Sequence, residues 1–171
     1  MSDAQRMLRL LIMDASVLID FLKAGRETVC DVCRFSERVC ITSTMVAEVR
    51  EVGGEEELAS LGLEIIEPEP EDVLRASDFA GSTSLEDRIC CYTAQRHGLS
   101  CVTNDKALRR LCESEGVAVV WGLELIGELL RAGMYNAERA LAIANTIHAR
   151  NPLHISKTRI QEFRHKYLSG E

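Results

Sequence analysis

Four acidic residues stand at points in the sequence where a carboxylate can do chemistry. Asp14 and Asp105 each follow a short apolar run, Glu48 lies in an otherwise apolar stretch, and Asp87 falls in the first turn of a predicted helix. Mg²⁺ and Mn²⁺ prefer such oxygen ligands, and three or four carboxylates around one or two ions can generate a hydroxide and hold a phosphodiester. The residues therefore predict metal-dependent phosphodiester hydrolysis, provided that the fold brings them together.

Each of these acids also has a structural interpretation. Asp14 is compatible with a turn, and Glu48 with an exposed place on a short helix. Asp87 is the acidic member of a possible capping box that begins at Ser84. Asp105 would favour the start of a helix through the helix dipole. From residue types alone, both interpretations stay open.

The elements that must position these acids follow from the apolar pattern. Residues Leu8–Met13 are apolar apart from Arg9, which predicts a parallel strand covered on both faces. Helices are predicted over 15–24, closed by Gly25, and over 85–97, closed by Gly98. Because short apolar strands and helices alternate along the chain, we expect a three-layer α/β sandwich with a central parallel sheet and right-handed crossovers.

In an open parallel sheet, ligands bind outside the carboxyl ends of the strands. Asp14 follows the first predicted strand and Asp105 the fourth, so both acids lie on that edge if the two strands are neighbours. Ser43 or Thr44 is expected to cap the helix that carries Glu48.

The bulk properties narrow the class of protein. The chain has 171 residues and a net charge of −7, so it is not a generally basic nucleic-acid binder. We predict one domain over 1–133 and a helical extension over 134–171. No apolar run suits a membrane helix, and Met1–Leu8 lacks a signal-peptide pattern, so we expect a cytoplasmic protein with no membrane partner.

The seven cysteines lie mostly in apolar segments, and their number is odd. Both features favour thiols in or near the core over a disulfide framework. The pair Cys30-x-x-Cys33 leaves open a metal or redox use.

The sequence resembles the PIN-domain family, and within it the VapC-type toxins of prokaryotic toxin–antitoxin pairs. The resemblance rests on LLIMDASVLIDFLKAG at 10–25, ITSTMVAEV at 41–49, SLEDRICCYTAQRHGLSCVTNDKALRRLCESEGVAVV at 84–120 and GLELIGELLRAG at 122–133. It implies a five-stranded sheet in the order 3-2-1-4-5, with the first and fourth strands side by side. The extension from Met134 goes beyond a minimal PIN domain.

The resemblance also implies a site and an activity. The four acids of the PIN-domain family, which would bind Mg²⁺ or Mn²⁺ and cleave RNA, correspond to Asp14, Glu48, Asp87 and Asp105 in this sequence. Two hydroxyl residues, Ser16 and Thr103, would support them. The implied partners are an RNA substrate and an antitoxin protein. A homodimer is also expected, because the last helix is amphipathic and its apolar face must be buried.

Two other functions compete with a ribonuclease. The first is a non-catalytic or housekeeping PIN-like module that binds nucleic acid. The second is a haloacid-dehalogenase-type phosphatase, which also begins with a strand and an aspartate but needs a second aspartate where this chain has Ser16.

Several charged residues near the predicted site receive weaker roles. Asp20 does not share a helix face with Asp14, so we expect at most a supporting role. Glu86 is predicted to point away from the site. The arginines are phosphate contacts or, more simply, surface residues; they are Arg88, Arg109 and Arg110.

Overall fold

The computed structural model describes residues 3–78 and 81–169. Along the chain the elements are α1 (Asp3–Met7), β1 (Leu10–Met13), α2 (Ala15–Ala24), α3 (Arg26–Phe35), β2 (Arg38–Thr42), α4 (Ser43–Val46), α5 (Glu55–Ser60), β3 (Glu64–Ile66), α6 (Pro70–Ser77), α7 (Leu85–His97), β4 (Ser100–Val102), α8 (Lys106–Ser114), β5 (Val119–Val120), α9 (Gly122–Arg131), α10 (Ala137–Arg150) and α11 (Lys157–Tyr167).

The five strands form one parallel sheet in the order β3-β2-β1-β4-β5. In β1, Leu11 pairs with Val39 on one side and with Ser100 on the other. The first strand is therefore central, and its carboxyl end lies beside that of β4. This confirms the predicted α/β class, the strand order and the C-terminal helices.

Strand β1 is shorter than predicted at its beginning. It starts at Leu10 rather than Leu8, because the chain leaves α1 through a turn in which the Arg9 N–H donates to the Arg6 carbonyl, 3.2 Å away. From Leu11 to Met13 the side chains are completely buried. Since helices cover both faces of the sheet, this strand shows no alternation of apolar and polar residues.

Two groups of helices cover the sheet. One group links α2, α3, α9, α10 and α11, and the other links α6, α7 and α8. The extension is part of the common core, because Ile143, Ile147 and Phe163 are buried in the same apolar cluster as β1. In the stretches 3–78 and 81–169, no helix is long and apolar enough to cross a membrane.

Local signals place several helix ends where the sequence predicts them. Helix α7 begins after Ser84, whose hydroxyl accepts from the Asp87 N–H, and ends before Gly98. Gly98 has a φ of 63°, a left-handed conformation that favours glycine at a helix C-terminus. Both ends of α7, which carries Asp87, are therefore determined by residues within the segment.

Candidate metal centre

Asp14 lies where β1 turns into α2. Its backbone N–H donates to the Val102 carbonyl at 3.0 Å, which ties this turn to β4. Its carboxylate is 5% exposed and accepts three hydrogen bonds, two of them from the N–H and hydroxyl of Ser16 at 3.2 and 2.8 Å. Burial raises the pKa of Asp14, and these hydrogen bonds and the hydroxyl of Thr103 oppose the shift.

Thr103 connects Asp14 with Asp105. Its hydroxyl donates to Asp14 Oδ2 at 3.0 Å and accepts from the backbone N–H of Asp105 at 3.0 Å. Asp105 caps α8, since its Oδ1 accepts from the Leu108 N–H at 2.8 Å. One buried hydroxyl thus fixes the spacing between the acids that follow β1 and β4.

Asp87 lies in the first turn of α7 and is partly buried. Its pKa is raised to about 6, first by burial and then by the negative charge of Asp14, and Asp105 adds to the shift. Hydrogen bonds from Ser84 act in the opposite direction. Asp87 therefore lies within electrostatic reach of both acids that follow the strands.

Glu48 is not on a helix, contrary to the prediction. Helix α4 begins at Ser43 and ends at Val46, so Glu48 falls in the turn that follows and is exposed. Thr42 occupies the N-cap position, although its side chain accepts no capping hydrogen bond, so the prediction of Ser43 or Thr44 as the cap was wrong. The pKa of Glu48 is nevertheless raised, by burial and then by Glu86, Asp87 and Asp14.

The negative charge of Asp14 acts on both Asp87 and Glu48, and that of Asp105 acts on Asp14 and Asp87, so these acids repel one another. No basic side chain forms an ion pair with Asp14 within the described ranges. Such a set of oxygen donors suits a hard divalent cation, which would offset the repulsion. Across 3–78 and 81–169, however, no three His, Cys, Asp or Glu side chains are already close enough together to hold a metal.

Two of these acids are also helix caps, and a third lies beside one. Asp14 is the N-cap of α2, Asp105 is the N-cap of α8, and the backbone N–H of Asp87 donates to Ser84, the N-cap of α7. These structural roles do not exclude the chemical one. Capping holds each carboxylate at the first turn of its helix, at the edge of the sheet where a ligand would bind.

Two further acids interact electrostatically with the site. The charges of Glu86 and Asp87 both raise the pKa of Glu48, while the direction of the Glu86 side chain stays a prediction. Asp20 is 6% exposed, and its pKa is raised to about 6 by burial, with a contribution from Asp14.

The C-terminal extension, residues 134–171, also contacts acids of the candidate metal centre. No short sequence pattern indicates this contact. His154 Nδ1 lies 3.9 Å from Asp105 Oδ2, and Asn151 Nδ2 lies 3.4 Å from Asp20 Oδ2. Two of the three arginines have structural contacts: Arg88 Nε donates to the Ala76 carbonyl at 2.7 Å, and the Arg109 guanidinium lies over the Trp121 ring.

The model of the PIN-domain family matches residues 11–114, which is more than half of the chain. The chain therefore belongs to the PIN-domain family. PIN domains are generally nucleases, usually with Mg²⁺ or Mn²⁺, and the family suggests binding to RNA or another nucleic acid. Neither the curated proteins nor the solved structures contain a significant match to this chain.

Proposed function

We propose that this PIN-domain protein is an Mg²⁺- or Mn²⁺-dependent endoribonuclease. The observation that carries the proposal is the link between Asp14 and Asp105 through the Thr103 hydroxyl at the carboxyl edge of the sheet. The charge of Asp14 also raises the pKa of Asp87 and of Glu48. A buried aspartate that accepts three hydrogen bonds and has repelling neighbours is expected where a cation binds.

The four acids would hold the ion, with Glu48 contributed by the exposed turn that follows α4. When bound, the ion supplies a hydroxide nucleophile and stabilises the leaving oxygen of the phosphodiester. Ser16 and Thr103 keep the Asp14 carboxylate oriented and favour its charged form.

A PIN-like module that binds nucleic acid without cleaving it is the alternative. One observation favours it: over residues 3–78 and 81–169 the carboxylates do not already form a set that encloses a metal. Calorimetric titration of the protein with Mn²⁺ separates the two functions. Saturable binding that Asp14→Asn abolishes supports the nuclease, and the absence of binding supports the module.

The first test is cleavage of a labelled single-stranded RNA with Mn²⁺. We expect Asp14→Asn and Asp105→Asn to lower the rate at least about a hundredfold, because each removes a charged ligand of the ion. Glu56→Gln, on an exposed residue of α5, is the matched control and should cleave normally. If both aspartate variants cleave RNA as fast as the wild type, the proposal is wrong.

We further propose that the nuclease is a VapC-type toxin that a cytoplasmic antitoxin protein restrains. The support is the resemblance of residues 8–133 to that subfamily. Expression of the wild type without its genomic neighbours should arrest growth, whereas Asp14→Asn should not. A small upstream gene for a DNA-binding protein, whose product restores growth, would complete the test. Growth that continues with an active nuclease would instead indicate a housekeeping enzyme.

A homodimer and the division into 1–133 and 134–171 remain proposals. The amphipathic α11 buries Ile160 and Phe163 within its own chain and contacts α9, so its apolar face does not require a second copy. The family resemblance is what still supports a dimer. A light-scattering mass of one chain at micromolar concentration would contradict it.

A further inference from the structure

The charge of the side chains along the carboxyl edge of the sheet changes sign from one end to the other. At one end, beyond β3, Glu67 and Glu69 are exposed. The candidate metal centre lies in the middle, after β1 and β4. At the other end, beyond β5, the guanidinium groups of Arg109 and Arg159 lie over the ring of Trp121. The strand order β3-β2-β1-β4-β5 fixes this succession of charges.

The end beyond β3 repels a polyanion. Residues 51–72 contain nine Asp or Glu and no Lys or Arg. Four of these acids form ion pairs with basic side chains from other segments. Glu67, Glu69 and Glu71, which follow β3, are exposed and form no ion pair in the described part of the chain. An RNA strand that reaches the metal centre is therefore disfavoured on this side.

The chain that follows β5 lies beside the metal centre. The Gly122 N–H donates to Asn104 Oδ1 at 3.1 Å, and Asn104 directly precedes Asp105 in the sequence. Trp121, which precedes Gly122, is half-buried and therefore lies at the β5 side of the acids that follow β1 and β4.

The two arginines over this ring come from different parts of the chain. Arg109 lies on α8 one turn after Asp105, to whose carbonyl its backbone N–H donates at 3.0 Å, so both side chains project from neighbouring positions of the helix surface. Arg159 lies in the first turn of α11, where its N–H donates to the Ser156 hydroxyl at 3.4 Å. The segment that matches the family and the extension thus supply one guanidinium group each.

The positive charge of these two groups is poorly compensated. Within residues 3–78 and 81–169 Arg109 forms no ion pair, and its Nε and Nη2 have no hydrogen-bond partner. Burial lowers the pKa of Arg109 and the charge of Arg159 adds to this shift, whereas Glu113 and Glu124 oppose it. Arg159 pairs with Glu162 at 3.1 Å, but the side chains are 41% and 57% exposed, and a surface pair of this kind is weak.

The ring holds the guanidinium groups in place. The centre of the Trp121 ring lies 3.1 Å from Arg109 Cζ and 4.2 Å from Arg159 Cζ, which are distances of cation–π contact. Arg159 is the more exposed of the two arginines, so an anion from solution meets it first. A fixed pair of positive charges next to an acidic centre is what an RNA backbone needs in order to approach that centre.

We propose that Arg109, Trp121 and Arg159, here called the basic stack, bind the phosphate backbone of the RNA beside the metal centre, with Arg159 in contact with a phosphate and Arg109 as a second positive charge. This inference rests on the proposed ribonuclease function. The RNA then runs from the metal centre toward β5, away from the acids beyond β3, and the C-terminal extension forms part of its binding surface.

The test compares Arg159→Gln, Arg159→Lys and the wild type, with Arg164→Gln as the matched control. Arg164 is an exposed arginine of the same helix, and its loss changes the net charge by the same amount as the loss of Arg159. Binding of a fluorescent single-stranded RNA is measured by anisotropy in EDTA at several KCl concentrations, so that no cleavage occurs. Cleavage is measured separately with Mn²⁺.

We expect Arg159→Gln to weaken RNA binding at low salt about tenfold, as for one lost contact between charged groups, and to raise KM by a similar factor with kcat nearly unchanged. The slope of log K against log salt concentration should become shallower by about 0.7, the value for one phosphate of a single strand. Arg159→Lys keeps the charge and should keep the slope, and Arg164→Gln should match the wild type.

Two results would overturn the inference: RNA binding by Arg159→Gln that equals that of the wild type, or equal losses in Arg159→Gln and Arg164→Gln, which would mean that only the net charge matters. A wild type that binds RNA but does not cleave it overturns the ribonuclease proposal, while the comparison of positions 159 and 164 still decides the role of the basic stack. A wild type that does not bind RNA overturns both.

Discussion

At the scale of single residues, one hydroxyl group, that of Thr103, connects Asp14 with Asp105. It donates to Asp14 and accepts from the N–H of Asp105. The family resemblance suggests Thr103 as a supporting residue, but only the structure shows that it contacts both acids. A threonine after an apolar strand carries no local signal of this double contact.

Thr103→Val keeps the shape of the side chain and removes both hydrogen bonds. Because Asp14 and Thr103 are buried, we expect the free energy of unfolding to fall by about 1–3 kcal/mol. Thr103→Ser keeps the hydroxyl and should lose less. Urea unfolding of the three proteins checks this, and a Val variant as stable as the wild type would contradict the role of the two hydrogen bonds.

The raised pKa of Asp87 predicts the pH dependence of stability without metal. An aspartate in an unfolded chain titrates near about 3.9, whereas in the fold the pKa is about 6, so between these values the folded state binds more protons. Stability should therefore decrease as pH rises from about 4 to about 6. The Tm in EDTA across this range measures the effect.

Asp87→Asn should flatten this part of the Tm curve, because the neutral amide has no charge that burial or Asp14 could destabilise. Glu56→Gln serves as the control and should keep the wild-type slope. A wild-type Tm that rises with pH over this window would show that the acids do not raise one another's pKa.

At the scale of elements, helix ends could be predicted and contacts between elements could not. The bounds of α7 and α10 follow from residues within each segment, Ser84, Gly98 and Asn136 among them. The end of α4 does not, because no strong cap or breaker separates Val46 from Glu48, and the apolar run 45–49 resembles a continuing helix. The approach of His154 depends on how α10 and α11 pack, which no short pattern encodes.

The packing of α11 on α9 depends on the small size of Gly127. The Tyr167 ring lies directly over this glycine, and a Cβ there would overlap the ring far more closely than van der Waals contact allows. Tyr167 also receives Arg131 over its ring at 4.5 Å and donates to Glu128 at 3.1 Å. The last helix can lie this close only because position 127 has no side chain.

Gly127→Ala should therefore displace α11, although alanine favours a helix interior by about 1 kcal/mol. We expect a lower Tm and faster amide hydrogen exchange over residues 157–167. In a Tyr167→Ala background the same substitution should cost much less, because the ring is gone. Equal costs in both backgrounds would contradict the contact.

At the scale of the whole molecule, a metal ion that binds only the folded protein should stabilise it. At a concentration of 100 times Kd, the free energy of unfolding rises by about 2.7 kcal/mol. We expect Mn²⁺ to raise the Tm of the wild type at pH 7.5, EDTA to reverse this, and Asp14→Asn to show no response. A wild-type Tm that is indifferent to Mn²⁺ would count against the metal centre.

The central place of β1 in the sheet has a consequence for folding during synthesis on the ribosome. Asp14 leaves the exit tunnel early, but Thr103, its partner in β4, is 89 positions further along, and His154 comes later still. At roughly 5–20 residues per second, several seconds separate the first acid from the last. The candidate metal centre therefore cannot assemble until β4 and the acid that follows it, Asp105, have been made.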